Sequence, residues 1–513
     1  MEQYGYRSDR EYIQVPISDK SVAGEISGDF TLPDYQPEIK RLLKISSVVL
    51  PPSRYIGDKE AELTGNIDYY VYYTGSDNEI YCAPLTTEYK MSVPIDSDVG
   101  SELANMAGCV YVVPDMTSGR VLSPRKLSIK CRLRAGAKIF GDMQLLRGID
   151  TSSDDVQVLR GEGNAIRMVC RAGELLHLSD EVLSGTQDGE VRVISADGRA
   201  LMSEVSCSEG QINCRGELYL KLLMSRENGA APYSVIRKIP FSQTVAVEGV
   251  TPDGTASAKG TVCEINVTVE DGRIGIDVGM MIEASSTAPE HFEYIKDVYS
   301  TTRDTVCEHR KVAVTDYAQG VNGNFSLNET MTLEEAGVSP ESLPVDLSGA
   351  VQIDDYAFAD RKCIMSGKVK FTALMDKEDE YSVSDIEMPF RYEVDASALR
   401  GNGKKNANFS PDVVSARARV DGERINIDAE ISVCGTMWEI GEISMLDGVS
   451  YGDMIEKRRG EYLVSYPSDS DTLWSVAKRY KVPVSSIVIG NMMNEQIDID
   501  SKGSLDGVSY LIV

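Results

Sequence analysis

The sequence predicts a mainly β chain of three tandem, antiparallel, sandwich-like modules followed by a small βααβ domain. Three observations predict it: a strand-like segment that recurs three times, period-two alternation around tight turns, and a change of pattern after Tyr451. The recurring segment reads Leu63-Thr-Gly65-Asn-Ile67-Asp-Tyr69-Tyr-Val71, Ile212-Asn-Cys214-Arg-Gly216-Glu-Leu218-Tyr-Leu220 and Ile364-Met-Ser-Gly367-Lys-Val369-Lys-Phe371. Its glycines stand 151 residues apart in both intervals. Two further landmarks follow in the same order. One is Ser92-Val-Pro94-Ile, Ile239-Pro240-Phe241 and Met388-Pro389-Phe390. The other is an Arg-led alternating run from Arg125, Arg273 and Arg424.

A chain of 513 residues has room for three or four domains. The boundaries expected from the repeat are 1–150, 151–301 and 302–452, then a linker at 453–460 and a terminal domain at 461–513. The period exceeds that of solenoid units, so the modules read as separate beads. A net charge of −28 speaks against nucleic acid and anionic membrane surfaces, which need a Lys/Arg footprint. The N-terminus lacks the apolar run of a signal peptide, and no stretch has the ~18 apolar residues of a membrane helix. Ten scattered cysteines without a Cys-x-x-Cys pair read as free thiols in a reducing cytoplasm.

In chain order, Pro37 at a first helical position and Ile39, Leu42 and Leu43 at i, i+3, i+4 predict a short helix. Ile45 to Leu50 then reads as a strand ended by Pro51-Pro52. Tyr69, Tyr70, Tyr72, Tyr73, Tyr81 and Tyr89 suit an aromatic ladder across strands; an exposed interaction face is the alternative. Asp271-Gly272 and Asp421-Gly422, each between alternating runs, predict matching hairpins. The first module has a longer connection there, from Val113-Pro114 to Ser123-Pro124. Thr332 to Ala336 is a further short helix candidate. Arg147–Asp155 and Gly401–Asn406 read as loops.

Catalytic patterns are sparse. The histidines are His177, His291 and His309, and Cys307-x-His309 could in principle pair nucleophile with base. In a strand, however, i and i+2 share a face whatever their job. There is no Gly-x-Ser-x-Gly elbow, phosphate-binding loop or Cys/His metal spacing, so the sequence predicts no enzyme and no cofactor.

After the basic linker Glu456-Lys-Arg-Arg-Gly460, Glu461 to Ser465 reads as a short strand. Asp469 to Thr472 supply capping residues, and Leu473, Val476, Ala477 and Tyr480 share one helical face. Val482-Pro483-Val484 breaks that helix, Ser485 can cap a second through Asn491, and Gly507 to Val513 is a terminal strand. These residues resemble the LysM family, through Tyr462-x-Val464, Asp471-Thr472-Leu473-Trp474-Ser475-Val476-Ala477, Ile487-x-x-x-Asn491 and Gly507-x-x-Tyr510-Leu511-Ile512-Val513. The resemblance implies a βααβ fold and a groove for N-acetylglucosamine polymers between Pro467–Thr472 and Asn491–Ile497. Ser470 and Lys481 replace the family's usual glycines. Asp471, Thr472, Trp474, Asn491, Met492 and Met493 are the expected partner- or glycan-binding residues. The paired methionines suit an adaptable protein contact.

The whole arrangement resembles SPOCS-domain (DUF3794) proteins of endospore-forming bacteria that end in a LysM. That resemblance implies a structural role in the mother-cell cytoplasm at the forespore surface. It implies as partner a coat-basement morphogenetic ATPase (SpoIVA-like). Peptidoglycan is the alternative ligand.

Overall fold

The computed structural model describes residues 11–96, 103–145, 155–183, 191–226, 231–270, 272–378, 380–456, 463–494, 496–501 and 505–513. The predicted loop at Arg147–Asp155 falls almost wholly outside them, as does the second half of the linker expected at 453–460, whose first two residues instead end the last strand of the third module.

Each module is a pair of antiparallel sheets. In the first, β1 (Glu11–Thr31), β7 (Lys126–Leu145) and β6 (Leu103–Ser123) run in the order β1-β7-β6. Its second sheet gathers β2 (Arg41–Val49), β3 (Ser53–Ile56) and β5 (Ile80–Pro94) around β4 (Glu60–Thr74). The second module repeats this with β8 (Val156–Leu183), β13 (Arg273–Ser300) and β12 (Thr255–Glu270), facing β9 (Val191–Ser208), β10 (Gln211–Arg226) and β11 (Tyr233–Ala246). In the third, β14 (Arg303–Thr332), β19 (Arg424–Met454) and β18 (Lys404–Asp421) face β15 (Leu343–Ala359), β16 (Lys362–Lys377) and β17 (Glu380–Asp395). Alternation explains the sandwich: Leu127, Ile129 and Cys131 of β7 point inward onto Ile67, Tyr69 and Val71 of β4.

Each repeated glycine pairs with an aromatic residue of the neighbouring strand, and a β-carbon there would strike the ring at Gly65, a backbone carbonyl and the ring at Gly216, and the Gln352 carbonyl at Gly367. Gly65 pairs with Tyr89, Gly216 with Phe241 and Gly367 with Phe390. A β-carbon at Gly65 would stand 2.8 Å from the Tyr89 hydroxyl, and one at Gly216 would stand 2.7 Å from the Phe241 ring. The same register corrects the second landmark: the counterpart of Phe241 is Tyr89, and Pro94 pairs with Glu60 instead. Beside Gly216 and Gly367 the partner strand bulges, at Ser203 and at Asp354. In the first module the same place is the break at Pro51-Pro52 between β2 and β3. Proline has no N–H to continue the ladder there.

Four local expectations change. Residues 37–43 form no helix: Arg41 begins β2, which pairs with β4 from Thr74 to Ile67. Seven residues cannot sustain a helix against that ladder. The Val113–Ser123 connection is a continuation of β6, turning tightly at Pro124-Arg125 because Ser123 pairs with Lys126. Lys126, not Arg125, is therefore the counterpart of Arg273 and Arg424. The two hairpins match, with Glu270 paired to Arg273 and Asp421 to Arg424, but the Asp-Gly dipeptide is shifted by one residue between them: in the third module Asp421 still belongs to the strand and Gly422-Glu423 is the turn. Asp271 lies outside the described residues. Thr332–Gly337 is a single capped turn, in which Thr332 and Glu335 bond reciprocally and Gly337 closes it at φ 63°.

The modules are not separate beads. They close into a ring: β5 touches β9, β11 touches β15, and β17 touches β2. At the ring's apex three bulge residues, Leu43, Ile194 and Val345, meet with Tyr72, Leu223 and Leu374. Members of each set stand 151 residues apart, so the ring is pseudo-threefold. The tyrosine run thus largely packs: Tyr69 and Tyr73 are buried in the first module, and Tyr72 in the apex. Beside the bulges lie Lys44, Ser195 and Asp346, again 151 apart. Asp346 bonds Lys44 of the first module and Lys221 of the second, each at 2.7 Å. Lys44 also lies over the Tyr72 ring, whose hydroxyl donates to Ser195. A second three-way cluster joins Ile13 and Val15, Phe292 and Tyr294, and Val312 and Val314. Elsewhere Lys138 of the first module lies over Trp438 of the third, and burial pushes its pKa down to about 6.

Burial alone would raise the Asp346 carboxyl, but Lys44 and Lys221 hold it below the usual carboxylate range. Its folded pKa is depressed, so the stabilisation is present above the unfolded value of about 3.9 and is lost as pH falls below it. Asp346→Asn removes the charge partner of the buried Lys44 and of the half-buried Lys221 and should cost about 3–5 kcal/mol in urea unfolding at pH 7. The gap between variant and wild type should shrink as the titration proceeds below about pH 4.

Candidate partner-binding site

The C-terminal unit is built of β20 (Val464–Ser465), α1 (Leu473–Tyr480), α2 (Val484–Gly490) and β21 (Leu511–Ile512), in βααβ order. Thr472 caps α1, accepting from Ser475 N, while Ser475 Oγ accepts from Thr472 N. The preceding Asp471 is buried; it accepts from Ser468 N at 3.0 Å and pairs with Arg479. Those two partners hold its carboxyl below the usual range. Lys481 ends α1 in the left-handed region at φ 56°. The second helix begins at Val484 behind Pro483, so Ser485 is an interior residue and not its cap.

Asn491 ties α2 to the terminal strand. Its amide donates to the Ile487 and Ile512 carbonyls, and its oxygen accepts from Ile512 N at 2.8 Å. Met493 packs partly into the unit's core. Trp474 is 5% exposed and turns away from solvent onto β13, with Nε1 donating to Asp297 at 2.9 Å and its ring edge-on to Tyr299. Met492 is 95% exposed. Of the six expected residues, Met492 alone therefore presents its whole side chain, while the other five are engaged within the chain.

The structure adds residues that the sequence reading missed. Val464 pairs with Ile512 and Ser465 with Leu511, so the two-strand ribbon turns Ser465 and Leu511 inward. Its outer face then carries Val464, Tyr466, Tyr510 and Ile512. Tyr466 is 77% exposed and Tyr510 58%. Asn491 fastens the end of α2 beside Ile512, bringing Ile489 and Met492 to the same neighbourhood. This concentration of exposed apolar side chains exceeds what scattered surface residues require. The signal was present: Val464-x-Tyr466 and Tyr510-x-Ile512 alternate, and antiparallel pairing puts both pairs on one face.

Cys307 and His309 do not form a nucleophile–base pair with each other. The thiol donates to the Val298 carbonyl at 3.1 Å, and His309 Nε2 lies 3.1 Å from the Lys296 carbonyl. Burial raises the Cys307 thiol, which disfavours the thiolate. Cys109 is disulfide-bonded, which departs from the expectation of free thiols throughout. Among the described residues, no cluster of His, Cys, Asp and Glu could hold a metal ion, and no helix is long and apolar enough to cross a membrane.

Residues 191–270 match the family model described as SipL, SPOCS domain. The SPOCS match spans β9 to β12, and so includes the Gly216 strand and its aromatic partner. No curated protein and no solved structure matches the chain.

Asn491→Ala removes three hydrogen bonds at once and should lower the unit's stability by about 1–3 kcal/mol, read as faster amide exchange in α2 and β21. Lys481→Gly should raise it by about 1 kcal/mol, because glycine takes the left-handed conformation without strain.

Proposed function

We propose that this chain is a non-enzymatic structural adaptor of the endospore coat. In this reading all three modules are SPOCS domains within the boundaries expected from the repeat. The terminal unit is a LysM that binds protein, and the chain works in the mother-cell cytoplasm at the forespore surface. Its partner is the coat-basement morphogenetic ATPase. The observation that carries the reading is the exposed apolar ribbon face of Val464, Tyr466, Tyr510 and Ile512, with Ile489 and Met492 exposed at the adjoining end of α2. The SPOCS match and the acidic charge agree with it.

Of the six residues expected from sequence, Met492 is assigned here to direct contact. Asn491 and Met493 support the surface from beneath, Asp471 and Thr472 hold the start of α1, and Trp474 anchors the unit to the ring. Unbranched methionine beside two tyrosines suits a contact that must adapt to a protein surface. The same tyrosines favour one alternative, since exposed rings also stack on sugars: a unit that binds N-acetylglucosamine polymers of the wall or cortex.

Ile489→Asp with Met492→Asp should weaken binding of the purified ATPase by roughly 10- to 100-fold, consistent with loss of interface anchors. Circular dichroism should show the fold intact. Unchanged ATPase affinity in the folded double variant contradicts the reading. Tight, face-dependent binding of chitin oligomers or peptidoglycan fragments, without ATPase binding, establishes the alternative.

A further inference from the structure

The terminal unit follows the third module in the chain but docks on the second. The reason lies in one strand. Near its end β13 carries a bulge at Lys296, between Ile295 and Asp297 in the ladder with β8, which re-aims the side chains around it. Asp297 there accepts from Trp474 Nε1 at 2.9 Å and from Lys478 Nζ at 2.6 Å, both on α1. Lys296 reaches Asp500 at 3.0 Å, and Tyr299 donates to the Val482 carbonyl at 2.7 Å. His309 of β14 stands 3.8 Å from the same Asp297 carboxylate.

The third module repeats the bulge, at Asp447 between Leu446 and Gly448. By the 151-residue spacing, however, Gly448 replaces Asp297, Ser450 replaces Tyr299 and Asp447 replaces Lys296. The backbone receptor is shared by two modules, and its chemistry by one of them.

We infer that the unit is a latched arm, exchanging between a docked state held by Asp297 on the second module and a released state. Trp474 and Lys478 of α1 share the Asp297 carboxylate, Lys296–Asp500 and Tyr299–Val482 add two more polar contacts, and Leu159 and Tyr299 are the apolar residues of the second module in the unit's core cluster. Polar joints of this kind between domains of one chain permit relative motion, whereas broad apolar ones do not. Docking uses the outer side of α1 and leaves the ribbon face exposed, so the latch sets the direction in which that face is presented. This inference concerns how the unit is held and does not depend on what the face binds.

The chain has two tryptophans, so full-length protein labelled with 5-fluorotryptophan gives two ¹⁹F resonances. Trp474 reports the joint, and Trp438, buried in the third module, is the internal control. In Asp297→Asn and in Lys478→Met, which breaks the latch from the unit's side, the docked Trp474 resonance should give way to a solvent-exposed one. The Trp438 resonance should stay where it is. Raising the salt concentration should move wild type in the same direction. An unchanged Trp474 resonance in both variants overturns the latch. So does loss of the Trp438 resonance in both, which would make these side chains part of the fold itself. The assay contains no partner, so its outcome is separate from that of the ATPase experiment.

Discussion

The ring depends on one buried carboxylate. Asp346 is contributed by the third module, Lys44 by the first and Lys221 by the second, so both ion pairs of this carboxylate cross between modules. Removing charges from water costs several kcal/mol each, and only close opposite charge and further hydrogen bonds offset that cost. Here the offset exists only when all three modules are in place, with Tyr72 beneath Lys44 and the Leu347 carbonyl accepting from Lys221. Apolar contact among Leu43, Ile194 and Val345 supplies attraction without preference. The charges supply the preference.

That distinction bears on how a triplicated module avoids error. Three like copies with matching bulges offer three equivalent faces, and head-to-tail faces can close a ring or propagate between chains. Lys44, Ser195 and Asp346 occupy equivalent positions with different chemistry, so only one arrangement pairs every charge. The same device recurs at the other functional joint, where Asp297 stands on one module and Gly448 on the next. In both places a symmetric backbone is made specific by side chains that differ at equivalent positions.

The strand pattern, the module number and the βααβ order were legible because alternation, glycine spacing and helix capping are local signals. The ring was not. Lys44 and Asp346 lie 302 residues apart and share no chemical likeness, so a search for similar residues at a fixed period passes over them. Residues 37–43 carried a helical spacing that pairing with β4 overrode, and Pro94 imitated a landmark whose real counterpart is Tyr89. In the terminal unit Trp474 looked like a surface anchor because its destination, Asp297, belongs to another module. The exposed face was hidden for the opposite reason: its members are separate in sequence and meet only through the Val464–Ile512 pairing.

Native-state hydrogen exchange across a denaturant series tests the closed ring most directly. The central strands β4, β10 and β16 belong to different modules but share the apex. The account predicts that their slowest amides open with one common free energy and one common denaturant dependence, as a single cooperative unit. Three distinct opening energies, with one module's strands exchanging while the others remain protected, would contradict it.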